Sequence, residues 1–343
     1  MFEDTLSALG LKSDDHKKLN LALQGGGAHG AYTWGVLDAL LEDENITFDM
    51  ISGTSAGAVN AVALASGFLE NGSTGAREKL EAVWNDISKA GDFFHLGTME
   101  KNAMKMFNKS MMAMFNPFDM NPLDFDPLRD VMEDHIDFEA LRAQSTIGLY
   151  IAATEVSSGK AHIFETHEIT IETVLASACL PFVSKTISIE GVGYWDGGCS
   201  ANPAIRPVIS HSDTDDTLLV QISPMELFAM PNHMQMFSGN SNQLSFSQSL
   251  RRELELIEEG REVSLSGMAF SDRARRLARH RFHLIDGSPV TSRLNPGSEM
   301  TPDWSMLSDL FTAGRTAAEV FLTDHRDQIG HKASVDLKEH FDL

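Results

Sequence analysis

The sequence predicts an α/β fold, a mostly parallel sheet covered by helices. Three observations predict it. Leu19–Gln24 (LNLALQ) reads as a short strand that runs into the glycine cluster Gly25-Gly26-Gly27 and then into a helix. Met50 and Ile51 close a second strand, followed by Ser52-Gly53-Thr54-Ser55 and the small-residue helix Ala56–Phe68. Strand, loop and helix thus occur twice in succession, as they do where crossover helices join parallel strands.

The remaining elements follow in order. Residues 1–18 are polar and read as a lead-in segment. The first helix runs from Gly30 to about Leu41, with Trp34, Leu37, Leu40 and Leu41 on one side, and Asp43–Asn45 closes it. Ile147–Ala153 and His162–Glu165 read as strands joined across Ser157-Ser158-Gly159. Ile171–Ala178 is a short helix stopped by Pro181, and Thr186–Trp195 carries two short strands around Glu190-Gly191. Thr217–Ser223 is a buried strand, Ser247–Leu265 and Ser271–His280 are charged helices, and Arg281–Asp286 is the last strand. Thr301–Asp327 is amphipathic and helical. The segment at about 99–127, rich in Met, Phe, Asn and Pro, breaks the pattern and reads as an insertion or lid. The expected organisation is one catalytic domain over 19–330 with a C-terminal tail at 331–343.

Composition narrows the function. The chain has 343 residues, 42% hydrophobic and 22% charged, which suits a globular domain. Its net charge of −22 excludes a nucleic-acid binder, which needs a basic footprint, and weakens attraction of the whole body to anionic lipid. No run of apolar residues is long enough to cross a membrane. The first residues, MFEDTLSALGLKSDDHKK, carry early acids and no apolar core of a secretory signal. Two cysteines, Cys179 and Cys199, exclude a disulfide framework and fit free thiols in a reducing compartment. The expected location is the cytoplasm, with peripheral contact at membranes.

Gly25, Gly27 and Gly30 fit G-x-G-x-x-G between a strand and a helix, so a dinucleotide-binding reading is open. That reading needs an acid at the end of the second strand. Asp49 precedes Met50-Ile51 instead of following it. The same glycines also suit an oxyanion hole, because bare N–H groups at a helix start can hold developing negative charge. A plain turn needs fewer glycines than these.

Gly53-Thr54-Ser55-Ala56-Gly57 is G-x-S-x-G set between a strand and a helix, the context of a nucleophile elbow. Gly53, Ala56 and Gly57 are small enough to permit its sharp turn. Ser55 could also cap the helix, which is compatible with catalysis. The serine needs a base. Among thirteen histidines none lies in a distinguishing motif; His162 and His167 flank a strand and His211 sits in a polar loop. Asp196, in Tyr194-Trp195-Asp196-Gly197-Gly198, is a better candidate, since desolvation by its neighbours would raise its pKa toward that of a useful base. Taken alone, Asp-Gly-Gly reads as a turn after a strand.

In order and spacing, four blocks together resemble the patatin-like phospholipase family. They are Gly25–Gly30, Gly53–Gly57, Ala176-Ser177-Ala178-Cys179-Leu180-Pro181 and Asp196-Gly197-Gly198. The resemblance spans residues 19–200 and adds little beyond about 205. It implies a three-layer α/β/α fold and a Ser–Asp dyad, with Ser55 as nucleophile and Asp196 as general base. It also implies an oxyanion hole at Gly25, Gly26, Gly27 and Gly30, centred on the N–H groups around Gly26 and Gly27. The base loop is Gly197 and Gly198. The implied activity is hydrolysis of lipid acyl esters of the phospholipase A or lysophospholipase type, with no cofactor and no metal. The chain has His29 where the family often carries Arg or Lys, which bears on substrate class more than on chemistry.

From Met99 to Phe115, Met104, Phe107, Met111, Met114 and Phe115 share one helical face beside Lys101, Lys105 and Lys109. This stripe is expected to line or cover an acyl pocket or to meet a lipid interface, and a helix packed on the body would show the same pattern. Arg273, Arg275, Arg276, Arg279 and Arg281 are expected to neutralise an acidic body or a partner subunit, since Glu253, Glu255, Glu258, Glu259 and Glu262 lie shortly before them, with a phosphate or headgroup site as the alternative. The leading expectation is a serine acyl hydrolase with a lipid ester as its partner. A catalytically silent lipid-binding or regulatory protein on the same fold, and a hydrolase of thioesters or storage polyesters, are the alternatives. The oligomeric state is not legible.

Overall fold

The computed structural model describes residues 16–96, 126–181, 184–225, 234–264, 271–295 and 297–343. The lid residues Met104, Phe107, Met111 and Met114 lie outside the described residues.

Eight strands form one sheet: β1 (Lys17–Leu23), β2 (Ile46–Thr54), β3 (Gly148–Glu155), β4 (Ala161–Glu165), β5 (Ile187–Ile189), β6 (Val192–Asp196), β7 (Asp216–Gln221) and β8 (Arg281–Asp286). Their order is β5-β6-β3-β2-β1-β7-β8, with β4 also paired to β3. The five strands from β3 to β8 in that order run parallel; β4, β5 and β6 add antiparallel pairs at one end. Every residue of β7 is buried, as expected for a strand covered on both faces.

Ten helices of more than one turn accompany the sheet among the described residues. They are α1 (Gly30–Leu40), α2 (Ala56–Leu96), α3 (Pro127–His135), α4 (Phe138–Gln144), α5 (Ile171–Ser177), α6 (Ile205–His211), α7 (Met234–Val263), α8 (Asp272–Arg279), α9 (Trp304–His325) and α10 (Leu337–Phe341). Helix α2 is broken where Gly72 takes a left-handed φ of 58°.

Alternation along the strands assigns the layers. Leu19, Leu21 and Leu23 of β1 join one core with α1, α2 and α9, whereas Ala22 joins a second core with α6, α7 and α10. β7 repeats this division, with Leu218 and Val220 on one face and Leu219 on the other. The fold is therefore three-layer α/β/α, as the resemblance implied. The expected lead-in overlaps the first two residues of β1, where Lys17 and Lys18 already pair with Ile46 and Thr47. The expected tail at 331–343 is docked, since α10 buries Leu337 and Phe341 in the second core.

Helices α1 and α9 pack almost backbone to backbone. A Cβ on Gly35 would stand 2.0 Å from the Phe311 carbonyl oxygen, and one on Gly314 would stand 2.0 Å from that of Tyr32. Neither contact can yield without moving a helix. Gly314→Ala should therefore destabilise the fold by about 1–3 kcal/mol, as overpacked cores do, measured by urea unfolding. An unchanged midpoint would show that the two helices are not held this closely.

Candidate active site

The topology around β3 brings the second and fourth motif blocks together. β2 pairs with β3 up to Thr54 opposite Ala152. β4 occupies the other edge of β3, from Tyr150 to Thr154. β6 pairs with Ala153, Thr154 and Glu155, so it must lie on the β2 edge, just past the end of β2. Asp196 sits opposite Ala153, one position beyond Thr54. The two strands run toward each other in one slot, and the residues at their ends, Ser55 and Asp196, meet.

Ser55 has φ of 54°, a left-handed conformation that an L-residue other than glycine rarely adopts. The expected strained turn is present. Its N–H donates to Ser177 Oγ at 2.9 Å, and Ser177 Oγ donates onward to the Ala152 carbonyl at 2.7 Å. The third block thus contributes a hydroxyl that holds the elbow to β3. Gly53 and Gly57 let the backbones on either side approach, a Cβ on Gly57 falling 2.2 Å from the Leu23 carbonyl oxygen. Ala56 is buried at the start of α2.

Asp196 is fully buried. Its N–H donates to the Cys179 carbonyl at 2.7 Å, and its own carbonyl accepts from Thr154 Oγ1 at 2.8 Å. Oδ1 accepts the Gly198 N–H at 2.7 Å. Oδ2 has no hydrogen bond of good geometry among the described residues, yet the Ser55 hydroxyl lies close enough to draw the pKa down. Burial dominates and pushes the carboxyl up to about 7, against the Gly198 N–H and the Ser55 hydroxyl. Gly197 lies against the Ala152 carbonyl, and Gly198 against the Phe246 ring of α7.

The glycine loop lies over the elbow. A Cβ on Gly25 would fall 2.9 Å from Ser55 Cβ, so only glycine fits there. Gly27 has φ of 57° and opens a short 3-10 turn. Among the described residues nothing accepts from the Gly26 and Gly27 N–H groups. The four glycines expected to form the oxyanion hole divide here. The Gly25 N–H is committed to Asn202 Oδ1 at 2.7 Å, and the Gly30 N–H to the carbonyls of Ala28 and Gly27. Those two glycines serve close packing, and free donors remain at Gly26 and Gly27. Burial lowers the His29 pKa, partly offset by Glu299, and its Nε2 bonds Ser298 Oγ at 2.8 Å.

Other candidates sit elsewhere. His211 bonds the Pro207 carbonyl through Nδ1, and His162 meets the rings of Phe164 and Tyr194 at an angle. Burial pushes both Cys179 and Cys199 up to about 11, which leaves little reactive thiolate at neutral pH. Asp49 takes Lys18 at 2.5 Å and Ser212 at 2.7 Å, so it serves the wall of the sheet and not a ribose. No group of His, Cys, Asp or Glu among the described residues could hold a metal ion.

Among the described residues, three of the five arginines pair with acids of the body, though not with the glutamates that precede them. Arg275 meets Asp272, Arg276 the Ser212 carbonyl, Arg279 meets Asp215 at 2.6 Å and Arg281 meets Asp216 at 2.5 Å. The glutamates of α7 turn to other partners, Glu253 to Arg206 and Glu258 to Arg261.

The family model described as patatin-like phospholipase matches residues 21–209, more than half of the chain. The chain belongs to the patatin-like phospholipase family. The matched stretch holds every block of this site, from the glycine loop to Asn202. The uncharacterized protein YjjU of Escherichia coli (strain K12) is 24% identical over 260 residues, 69% of this chain and 62% of that protein. The chain thus spans less than two thirds of that relative. Among solved structures, VipD from Legionella pneumophila aligns at a TM-score of 0.43 and 14% identity, over 91% of this chain and 67% of that one. ExoU, solved in its heterodimeric complex with SpcU of the Pseudomonas aeruginosa type III secretion system, aligns at 0.32 and 16% identity, over 92% of this chain and 61% of that one.

A carboxyl with a raised pKa costs the folded state most where it is ionised. For Asp196 the unfolded value lies near 4 and the folded one at about 7, so the native state binds more protons between them and loses stability as pH rises through that window. Asp196→Asn removes this cost. The variant should melt above the wild type at about pH 8 and much closer to it at about pH 4. Equal differences at both pH values would show that the carboxyl titrates normally.

Proposed function

We propose that this protein is a serine acyl hydrolase that cleaves lipid acyl esters of the phospholipase A or lysophospholipase type, using Ser55 and Asp196. The observation that carries this reading is the meeting of a strained Ser55 with a buried, half-satisfied Asp196 beside two unoccupied N–H donors. Family membership supports a lipid ester as the substrate class.

Ionised Asp196 accepts the Ser55 hydroxyl proton as Oγ attacks the acyl carbonyl. The Gly26 and Gly27 N–H groups hold the oxyanion of the tetrahedral intermediate. The intermediate collapses, the C–O bond to the alcohol breaks, and protonated Asp196 returns its proton to the leaving oxygen. Water then attacks the acyl-Ser55 ester, Asp196 takes its proton, and the carboxylic acid leaves as Ser55 is reprotonated. The dyad needs no imidazole, because burial already places the Asp196 pKa near neutrality.

The substrate is an ester at a membrane surface or lipid aggregate, met peripherally. No helix among the described residues is long and apolar enough to cross a membrane. Free Cys179 and Cys199 suit a reducing, cytoplasmic setting.

The deciding experiment is turnover of a short nitrophenyl ester and of phosphatidylcholine vesicles by the wild type, Ser55→Ala and Asp196→Asn. Ser55→Ala should fall to background, and Asp196→Asn by about 10²–10⁴-fold. The wild-type kcat/KM should rise with pH on a limb centred near the raised Asp196 value, about 7, and that limb should vanish in Asp196→Asn. Activity that survives Ser55→Ala would overturn the reading.

A further inference from the structure

Catalysis by an oxyanion hole depends on donors held in place before charge develops. Three successive glycines are a poor way to hold anything, since each has wide backbone freedom. Something outside the loop must supply the rigidity. The Gln24 carbonamide does so on one side, its Oε1 accepting the Ile222 and Ser223 N–H groups at 2.7 and 2.8 Å. On the other side stands Asn202.

Asn202 lies past the base loop, just before α6, and is fully buried. Its Oδ1 accepts the Gly25 N–H at 2.7 Å. The neighbouring Ala201 carbonyl accepts from Thr54 Oγ1 at 2.8 Å. Two consecutive residues therefore grip both the glycine loop and the residue before Ser55. Because Gly25 N is a donor, the carbonyl end of the Asn202 amide must face it. Asn202 Nδ2 is then left buried with no hydrogen-bond partner among the described residues. A buried, unpaired amide donor is unfavourable, and an apolar side chain of this size would avoid it. The gain that offsets the cost is the acceptor aimed at Gly25.

We propose that Asn202 is a positioning residue for the oxyanion loop: by holding the Gly25 N–H it keeps the next two N–H groups, of Gly26 and Gly27, directed at the acyl oxygen. This rests on the hydrolase reading above. Asn202 touches neither the acyl group nor the leaving oxygen. It acts through the loop, so its loss weakens the transition state and leaves ground-state binding nearly intact.

The test compares the wild type with Asn202→Ala and Asn202→Asp, the latter keeping an acceptor of the same shape. The readouts are kcat and KM for the nitrophenyl ester, the melting temperature, and inhibition by an alkyl trifluoromethyl ketone. Ser55 Oγ adds to the ketone carbon, its proton passes to Asp196, and the product carries an oxyanion where the transition state does. Asn202→Ala should lower kcat by about 10²-fold with KM within about twofold, and should weaken the ketone by a factor matching the loss in kcat/KM. Asn202→Asp, compared at the plateau of its own pH profile, should recover most of kcat. The proposal is overturned if Asn202→Ala keeps wild-type kcat. It is also overturned if kcat falls only in step with thermal unfolding while ketone affinity per folded molecule is unchanged. A wild type whose ester turnover does not depend on Ser55 would instead sink the hydrolase reading itself, so the two failures are distinct.

Discussion

The feature on which this site depends is the end-to-end meeting of β2 and β6 along one edge of β3. A parallel strand and an antiparallel strand share that slot and approach each other head on. The meeting point sets Ser55 against a carboxylate that water does not reach. Both residues are costly there, Ser55 through its left-handed backbone and Asp196 through desolvation. Such a pair persists only if the surroundings over-determine it. Thr154, Cys179 and Gly198 fix Asp196 through three hydrogen bonds, while Ser177 fixes the Ser55 N–H.

The same logic explains why the rest of the body is so firmly tied. The parallel strands β7 and β8 are joined through Asp216, which takes Arg281 at 2.5 Å, His283 at 3.0 Å and the Gly330 N–H at 3.0 Å. Burial alone would raise this carboxyl, but these partners hold it well below the usual carboxylate range. On the same side of the sheet Asp38 of α1 takes Arg77 of α2 and Arg315 of α9. Largely buried pairs of this kind specify register and angle more than they add net stability. In a chain of net charge −22 they also place the scarce arginines on the acids that can least tolerate isolation.

Helix α7 lies over the base loop. Phe246 covers Gly198, and Ser249 Oγ donates to the Gly198 carbonyl at 3.1 Å. Glu253 accepts the N–H groups of Ile205 and Arg206 at the start of α6, where a carboxylate is favoured by the helix dipole. The segment from Asp196 to α6 is therefore clamped by α7 on one side and by the Thr54 and Gly25 contacts on the other.

The sequence by itself determined the features whose cause is local. The glycine loop, the G-x-S-x-G elbow and the Asp-Gly-Gly turn each require small residues at fixed spacing, because backbone geometry within a few residues demands them. The parallel character of the core followed from alternating strands and helices, though not its strand order, and the apolar run Leu218–Val220 marked a strand buried on both faces. The motif singled out Asp196 as the partner of Ser55; only the tertiary structure decided how they meet, since that depends on two distant strands sharing one edge of a third. It alone divided the four loop glycines into donors and packing positions, because Asn202 claims the Gly25 N–H from far along the chain. It alone turned the α7 glutamates away from the arginine run and docked α10 through Leu337 and Phe341. Periodicity reports which side of an element is apolar; what that side meets is set by packing, which no local pattern encodes.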